Sequence, residues 1–160
     1  MSFIHRLTPE SYAYIRRLLS FQTKPLGKVL READLISSFQ LESALLDQLQ
    51  NPDMRIGEIL ARNGLIKPET ADFFVRDWSK IISQTEKDAL GYYLHKAAIL
   101  SSEQVEIILA EQKSSGIRFG TVGVFQGFIK STTLDFFLAH LYPEEIHSSP
   151  FVNMYSTRKS

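Results

Sequence analysis

The sequence predicts an all-α fold built from helix–turn–helix units, and three observations lead to that prediction. Two segments recur later in the chain at nearly constant spacing. Apolar residues in each segment recur at helical spacing, after residues that commonly begin helices. No stretch alternates apolar and polar residues for long, as a half-buried strand would. Every other feature is therefore interpreted in the light of the internal repeat.

Two kinds of repeated unit alternate along the chain. The A unit is LGKVLREADLISSFQLESALLDQ (26–48) and again LGYYLHKAAILSSEQVEIILAEQ (90–112), with ten of 23 positions identical. Average composition would give about one or two identities by chance. The B unit is RIGEILARNGLIKPETADFFVRD (55–77) and again RFGTVGVFQGFIKSTTLDFFLAH (118–140), with nine identities. The order A, B, A, B predicts a duplicated pair of units.

Each unit predicts a short helix, a turn and a longer amphipathic helix. The short helix begins with an apolar residue followed by glycine, and Gly64 and Gly127 lie where it must end in a left-handed residue. In the A units, serine and glutamine three residues apart predict a capping box for the longer helix. Pro68 falls at the first helical position, where its missing N–H is not needed. The capping pairs are Ser37 with Gln40 and Ser101 with Gln104.

The repeats divide the chain into four parts. We expect a basic N-terminal helix in 1–24, a first A–B pair in 25–82, a second pair in 83–142 and an irregular tail in 143–160. The pairs would form two similar small helical subdomains. The apolar positions expected to be buried are Leu30, Leu35, Leu41, Leu45, Ile59, Leu65, Phe73, Leu94, Ile99, Leu109, Phe128, Leu134 and Phe137.

Composition limits the classes of function. The chain has 160 residues, 44% of them hydrophobic, a formal net charge of zero and no cysteine, which favours a cytoplasmic location and excludes disulfides. No apolar run reaches the roughly 20 residues of a membrane span. Residues 1–31 are basic and the remainder is acidic, so the basic segment meets either an external anion or the rest of its own chain. A pI near 6.9 argues against nucleic-acid binding.

Catalytic and metal sites are not predicted. The four histidines have no spacing suited to a metal, and a zinc site without cysteine is unusual. No Gly-x-Ser-x-Gly nucleophile motif occurs. The aromatic pairs Phe73-Phe74 and Phe136-Phe137 are expected to lie in the core, and Trp78 either fills the core or anchors an interface. We therefore expect a protein that is not an enzyme and carries no cofactor.

The repeated unit resembles the N-terminal helical domain of type II secretion and type IV pilus assembly ATPases, known as the MshEN-type or general secretion pathway protein E N-terminal family. The shared pattern is Arg-apolar-Gly, a second glycine before an apolar pair, helical apolar positions and a final glutamine. It covers residues 25–141 as two tandem copies. The chain contains no Walker A pattern, so the resemblance implies the regulatory or docking module without the ATPase domain.

Some members of that family bind cyclic di-GMP through the arginine, the apolar-glycine step and the final glutamine. A guanidinium can stack on guanine and reach phosphate, and a glutamine amide can pair with a base edge. The motif is divided here, because the A units keep the glutamine while the B units keep the arginine. The residues to which the resemblance assigns nucleotide binding are Leu26, Gly27, Gln48, Arg55, Ile56, Gly57, Gly91, Gln112, Arg118, Phe119 and Gly120.

Two functions follow as hypotheses. The first is a non-catalytic cytoplasmic adaptor that presents a helical surface to a protein partner in pilus, secretion or motility machinery. The alternative is a cyclic di-GMP sensor with composite sites, Arg55 with Gln48 and Arg118 with Gln112. Each motif residue also has a structural interpretation, since a glycine can serve close helix packing and an exposed arginine is often solvated or paired with a carboxylate.

Overall fold

The all-α prediction is confirmed. The computed structural model describes Thr8, Pro9 and residues 25–144, so most of the predicted N-terminal helix (1–24) and of the tail (143–160) lies outside the described residues. Residues 25–144 contain eight helices and no strand. They are α1 (Leu26–Glu32), α2 (Ser38–Gln50), α3 (Ile56–Arg62), α4 (68–83), α5 (Leu90–Lys96), α6 (Ser102–Ser115), α7 (Phe119–Phe125) and α8 (Ser131–Leu141). The helix α4 combines Pro68–Asp72, a π-helical segment Phe73–Asp77 and Trp78–Ser83.

Helices of seven residues alternate with longer ones, in the order expected from the four units. The predicted capping boxes form, with Gln40 N donating to Ser37 Oγ at 3.1 Å and Gln104 N to Ser101 Oγ at 3.1 Å. Pro68 is the first residue of α4, as predicted. The duplication itself stays a prediction, which superposition of 25–82 on 83–142 would test.

All four short helices end in a left-handed residue. Gly64 and Gly127 have φ of 72° and 73°, as predicted from the sequence. At the equivalent A-unit positions Asp34 and Ala98 adopt φ of 56° and 55° without being glycine. In each case the next N–H donates to a carbonyl five residues earlier, for example Leu35 N to Leu30 O at 2.9 Å. The bond pattern at the end of the helix therefore fixes the turn in all four units.

Both halves of the chain share one hydrophobic core. Its centre is an aromatic cluster, Phe73, Phe74 and Trp78 from α4 with Phe136 and Phe137 from α8. Trp78 stacks on Phe136 with ring centroids 5.3 Å apart, and Phe73 lies 6.4 Å from Phe137 with nearly parallel rings. Offset aromatic pairs at such distances are stabilising beyond their buried area. Trp78 is therefore a core residue.

Buried threonines join the halves at two seams. In seam 1, Thr133 at the start of α8 donates to the carbonyl of Ala33 at the end of α1, at 2.8 Å. In seam 2, Thr70 at the start of α4 donates to the carbonyl of Ala97 at the end of α5, at 2.7 Å. The sequence repeats align Thr70 with Thr133 and Ala33 with Ala97. The two halves thus exchange the same contact in both directions.

Most of the predicted core residues are buried, and one prediction is wrong. Leu109 is 51% exposed, whereas Leu45, which the repeats align with it, is 9% exposed. The helix α6 buries only Ile108, and Leu109 lies about 100° further round the helix, away from α5 and α7. The positions that are half-buried against the core are Leu35, Leu65, Ile99 and Phe128.

We predict that Thr133→Val destabilises the protein by about 1–3 kcal/mol, because the buried carbonyl of Ala33 loses its donor. Urea unfolding measures the change. Thr85→Val, in the exposed loop between α4 and α5, is the control and should change stability by less than about 0.5 kcal/mol. Equal effects of the two substitutions would show that the seam hydrogen bond contributes nothing specific.

Candidate functional site

The predicted site residues fall into two groups, one in each A–B pair. Leu26 and Ile56, the first residues of α1 and α3, are half-buried and pack against the core. Arg55 is exposed, and its backbone N–H donates to Glu58 Oε2 at 2.8 Å. Gln48 Nε2 donates to the carbonyl of Met54 at 3.1 Å. The glutamine amide of the first composite site is therefore bonded to the residue that precedes Arg55.

The four motif glycines are buried against side chains. A methyl group on Gly91 would lie 2.7 Å from Phe119 Cζ, and one on Gly120 would lie 2.5 Å from Leu134 Cδ1. Gly27 is as crowded, with Leu41 Cδ1 at 2.4 Å, and Gly57 is less crowded, with Leu26 Cδ2 at 3.0 Å and Ala71 Cβ at 3.2 Å. Each glycine thus lets two helices approach closely, which is the packing role that the sequence left open.

A cavity of about 270 Å³ lies at the second group of site residues. It opens between the start of α5, at Ala89 and Leu90, and the start of α7, at Arg118 and Phe119. The residues that complete its lining are Asp88, Gly120, Thr121, Leu134, Leu138 and Tyr142. Its volume is slightly below the roughly 300–1,000 Å³ of typical ligand pockets. Gln112, the predicted partner of Arg118, is half-buried and does not line this cavity.

Two tyrosines bind the backbone of the loop before α5, which lines this cavity. The N–H of Asp88 donates to Tyr93 Oη at 2.8 Å, and Tyr142 Oη donates to the carbonyl of Asp88. The loop that joins the two halves is thereby fixed beside Arg118. Asp88 and Tyr142 were not among the predicted site residues. Asp88 could have been found from its place two residues before the second A unit, but Tyr142 has no signal because it follows the last repeat.

Electrostatics single out Asp135, the residue after the cavity-lining Leu134. Burial raises the pKa of its carboxyl above the usual aspartate value. Its Oδ1 is buried and has no hydrogen-bond partner among the described residues.

The residues that the structure describes contain no group of His, Asp and Glu side chains able to hold a metal ion. None of the helices described is both long and apolar enough to cross a membrane.

Comparison with known proteins identifies the family of the chain. An uncharacterized protein of Picosynechococcus sp. (strain PCC 7002) is 38% identical over 126 residues, which cover 79% of this chain and 68% of that protein. The chain belongs to the family of this protein. No family model matches the sequence. No solved structure matches it either.

We predict that Asp135→Asn stabilises the protein at neutral pH. A folded-state pKa above the unfolded value means that the folded state binds the proton more tightly, so stability falls as pH rises from the usual aspartate pKa through the raised one. The asparagine variant should lose this part of the pH dependence. Urea unfolding at neutral and mildly acidic pH measures both effects.

Asp72→Asn is the matched control, since Asp72 is the aligned residue of the first B unit and is exposed. It should leave stability and its pH dependence unchanged. A variant at position 135 that is less stable than the wild type at neutral pH, with an unaltered pH profile, would contradict the assignment.

Proposed function

We propose that this protein is a non-catalytic cytoplasmic adaptor that uses the exposed apolar residues of α6, on either side of buried Ile108, to bind a protein partner. The observation that carries the proposal is that α6 leaves large apolar side chains exposed to solvent. Of its 14 residues only Ile108 is buried, while Ile107 and Leu109 are 40% and 51% exposed. Ile117, just beyond the helix, is also 40% exposed.

These exposed apolar side chains would be stabilised by contact with a partner protein. Burying an exposed leucine or isoleucine is favourable by about 1.5–3 kcal/mol, and three of them lie within eleven positions of one helix and its following turn. The charged residues around them, Glu103, Glu106 and Lys113, would form a polar rim. The resemblance to secretion and pilus ATPase modules suggests that the partner is a component of such machinery.

The test is partner capture with a surface variant. We expect Ile107→Gln combined with Leu109→Gln to leave the unfolding free energy within about 0.5 kcal/mol of wild type, because both side chains are already exposed. Capture of the partner from native extract should fall about tenfold or more. Val75→Gln, an exposed apolar position on α4, is the control and should capture normally.

An adaptor must bind the same partner reproducibly. The same set of captured proteins for wild type and the double variant, or a monomer that captures nothing in repeated experiments, would therefore remove this proposal.

Cyclic di-GMP sensing is the second candidate, and one observation favours it. Arg118, Phe119 and Gly120, three consecutive motif residues, line a cavity that also includes Leu90 of the neighbouring A unit. Isothermal titration with cyclic di-GMP should give a dissociation constant below about 100 μM. Arg118→Ala should weaken binding by about 1–3 kcal/mol through loss of a stacked, charge-assisted contact.

Arg31→Ala is the matched control, because Arg31 is an exposed arginine of α1 outside the cavity. Gln112→Ala tests the composite site, and should weaken binding only if the glutamine reaches the ligand. A wild-type dissociation constant above about 100 μM would rule out the sensor.

A further inference from the structure

The two seams differ in one acidic side chain. In seam 1, Thr132 Oγ1 donates to Asp34 Oδ2 at 2.6 Å. Lys130 Nζ lies 3.9 Å from the same carboxylate oxygen and donates to the backbone carbonyl of Asp34 at 3.1 Å. The left-handed residue of the A unit therefore supplies a carboxylate that closes the seam against the start of α8.

Seam 2 has the same backbone arrangement without the carboxylate. Ala98 takes the place of Asp34, and Lys67 takes the place of Lys130. Glu69 stands where seam 1 has Thr132. The alanine methyl group can accept no hydrogen bond, and Lys67 Nζ forms no ion pair within the described part of the chain. Lys130 therefore has a carboxylate partner in seam 1, whereas Lys67 at the same position of seam 2 has none among the described residues.

An open groove of about 650 Å³ lies at seam 2. It is lined by the start of α4 with Lys67 before it, by α5, and by the turn from Ala98 to the start of α6. Lys96 is paired with Asp77 at 3.8 Å and lies 5.9 Å from the centre of the Tyr92 ring. The groove therefore offers the Lys67 ammonium group and serine hydroxyls beside an exposed aromatic surface.

The backbone conformation at Ala98 is one that favours aspartate over alanine. An L-residue at φ of 55° is disfavoured, and aspartate tolerates this conformation better than alanine does. Asp34 offsets the same conformation with contacts from its side chain. Ala98 retains the strained turn with no such contact, and its small side chain leaves the groove open.

We infer that the groove at seam 2 binds a carboxylate side chain of a partner protein, in the role that Asp34 has at seam 1, with an adjacent apolar side chain against the exposed ring of Tyr92. The inference rests on the proposed adaptor function and specifies the chemistry of the partner. Charge complementarity to Lys67 favours an acidic segment, and seam 1 provides the template for the contact.

Glu69 also lines the groove, and its carboxylate would repel the same ligand. A carboxylate held by Lys67 lies near a second carboxylate, which costs affinity. Glu69→Thr restores the residue type found in seam 1, removes the repulsion and adds a hydroxyl donor. It should therefore tighten binding, which a general loss of structure would not do.

The experiment is an NMR titration of the isotope-labelled full chain with the peptide acetyl-Leu-Asp-Leu-amide, using acetyl-Leu-Asn-Leu-amide as the uncharged probe. We expect shifts confined to the amides around Lys67, Ala98 and Ser101, with a dissociation constant of about 1 mM. Lys67→Gln should weaken binding about two- to fivefold, the size of an exposed ion pair, whereas the control Lys113→Gln should not.

Ala98→Asp is the decisive variant. The new aspartate should pair with Lys67, raise the melting temperature and abolish binding of the acidic peptide. Equal binding of the two peptides, shifts elsewhere on the surface, or unchanged binding by Ala98→Asp would overturn the inference. Those outcomes leave the adaptor proposal standing, because partner capture through Ile107 and Leu109 is measured separately.

Discussion

The buried hydroxyl-to-carbonyl contact across each seam is the constraint on which the rest of the structure depends. A short helix leaves its last carbonyls unpaired, and a buried carbonyl without a donor is costly. Thr133 and Thr70 supply those donors from the other half of the chain. Because each half satisfies the other, α4 and α8 are brought together and their aromatic side chains form one core. The hydrogen bonds set the orientation, and the aromatic cluster lies at the centre of the shared core.

The seams also decide where binding can occur. The backbone turns sharply at the end of each short helix, and the start of a longer helix from the other half lies beside it. At seam 1 this junction is filled by Asp34, Lys130 and Thr132. At seam 2 it remains open as a groove beside Ala98. Two equivalent junctions in one molecule thus differ in occupancy because of a few side chains, while their backbone contacts are retained.

The sequence predicts the helices well because their signals are local. Capping boxes at Ser37 and Ser101 and the left-handed glycines at Gly64 and Gly127 appear as expected. The failure at Leu109 has a tertiary cause, since α6 buries only Ile108 whereas α2, whose sequence it matches, buries Leu41, Ala44 and Leu45. The cavity beside Arg118 was only partly predictable, because Tyr142 and Asp88 reach it through contacts between distant segments. The groove at Ala98 becomes visible only when the two seams are compared.

The arrangement of the motif residues separates packing from recognition. Gly91 and Gly120 admit Phe119 and Leu134, so these glycines are explained by helix contacts whatever the protein binds. Two charged residues line the openings at the surface, Arg118 at the cavity and Lys67 at the groove. The cavity is the smaller of the two, and most of its lining is aliphatic or aromatic, whereas the groove is larger and more open. A small apolar pocket suits a small molecule, and a broad groove beside exposed apolar helix residues suits a polypeptide. Leu109 of α6 and Tyr92 of α5 are both exposed apolar residues that a polypeptide partner could cover, and for that reason the adaptor is the leading proposal.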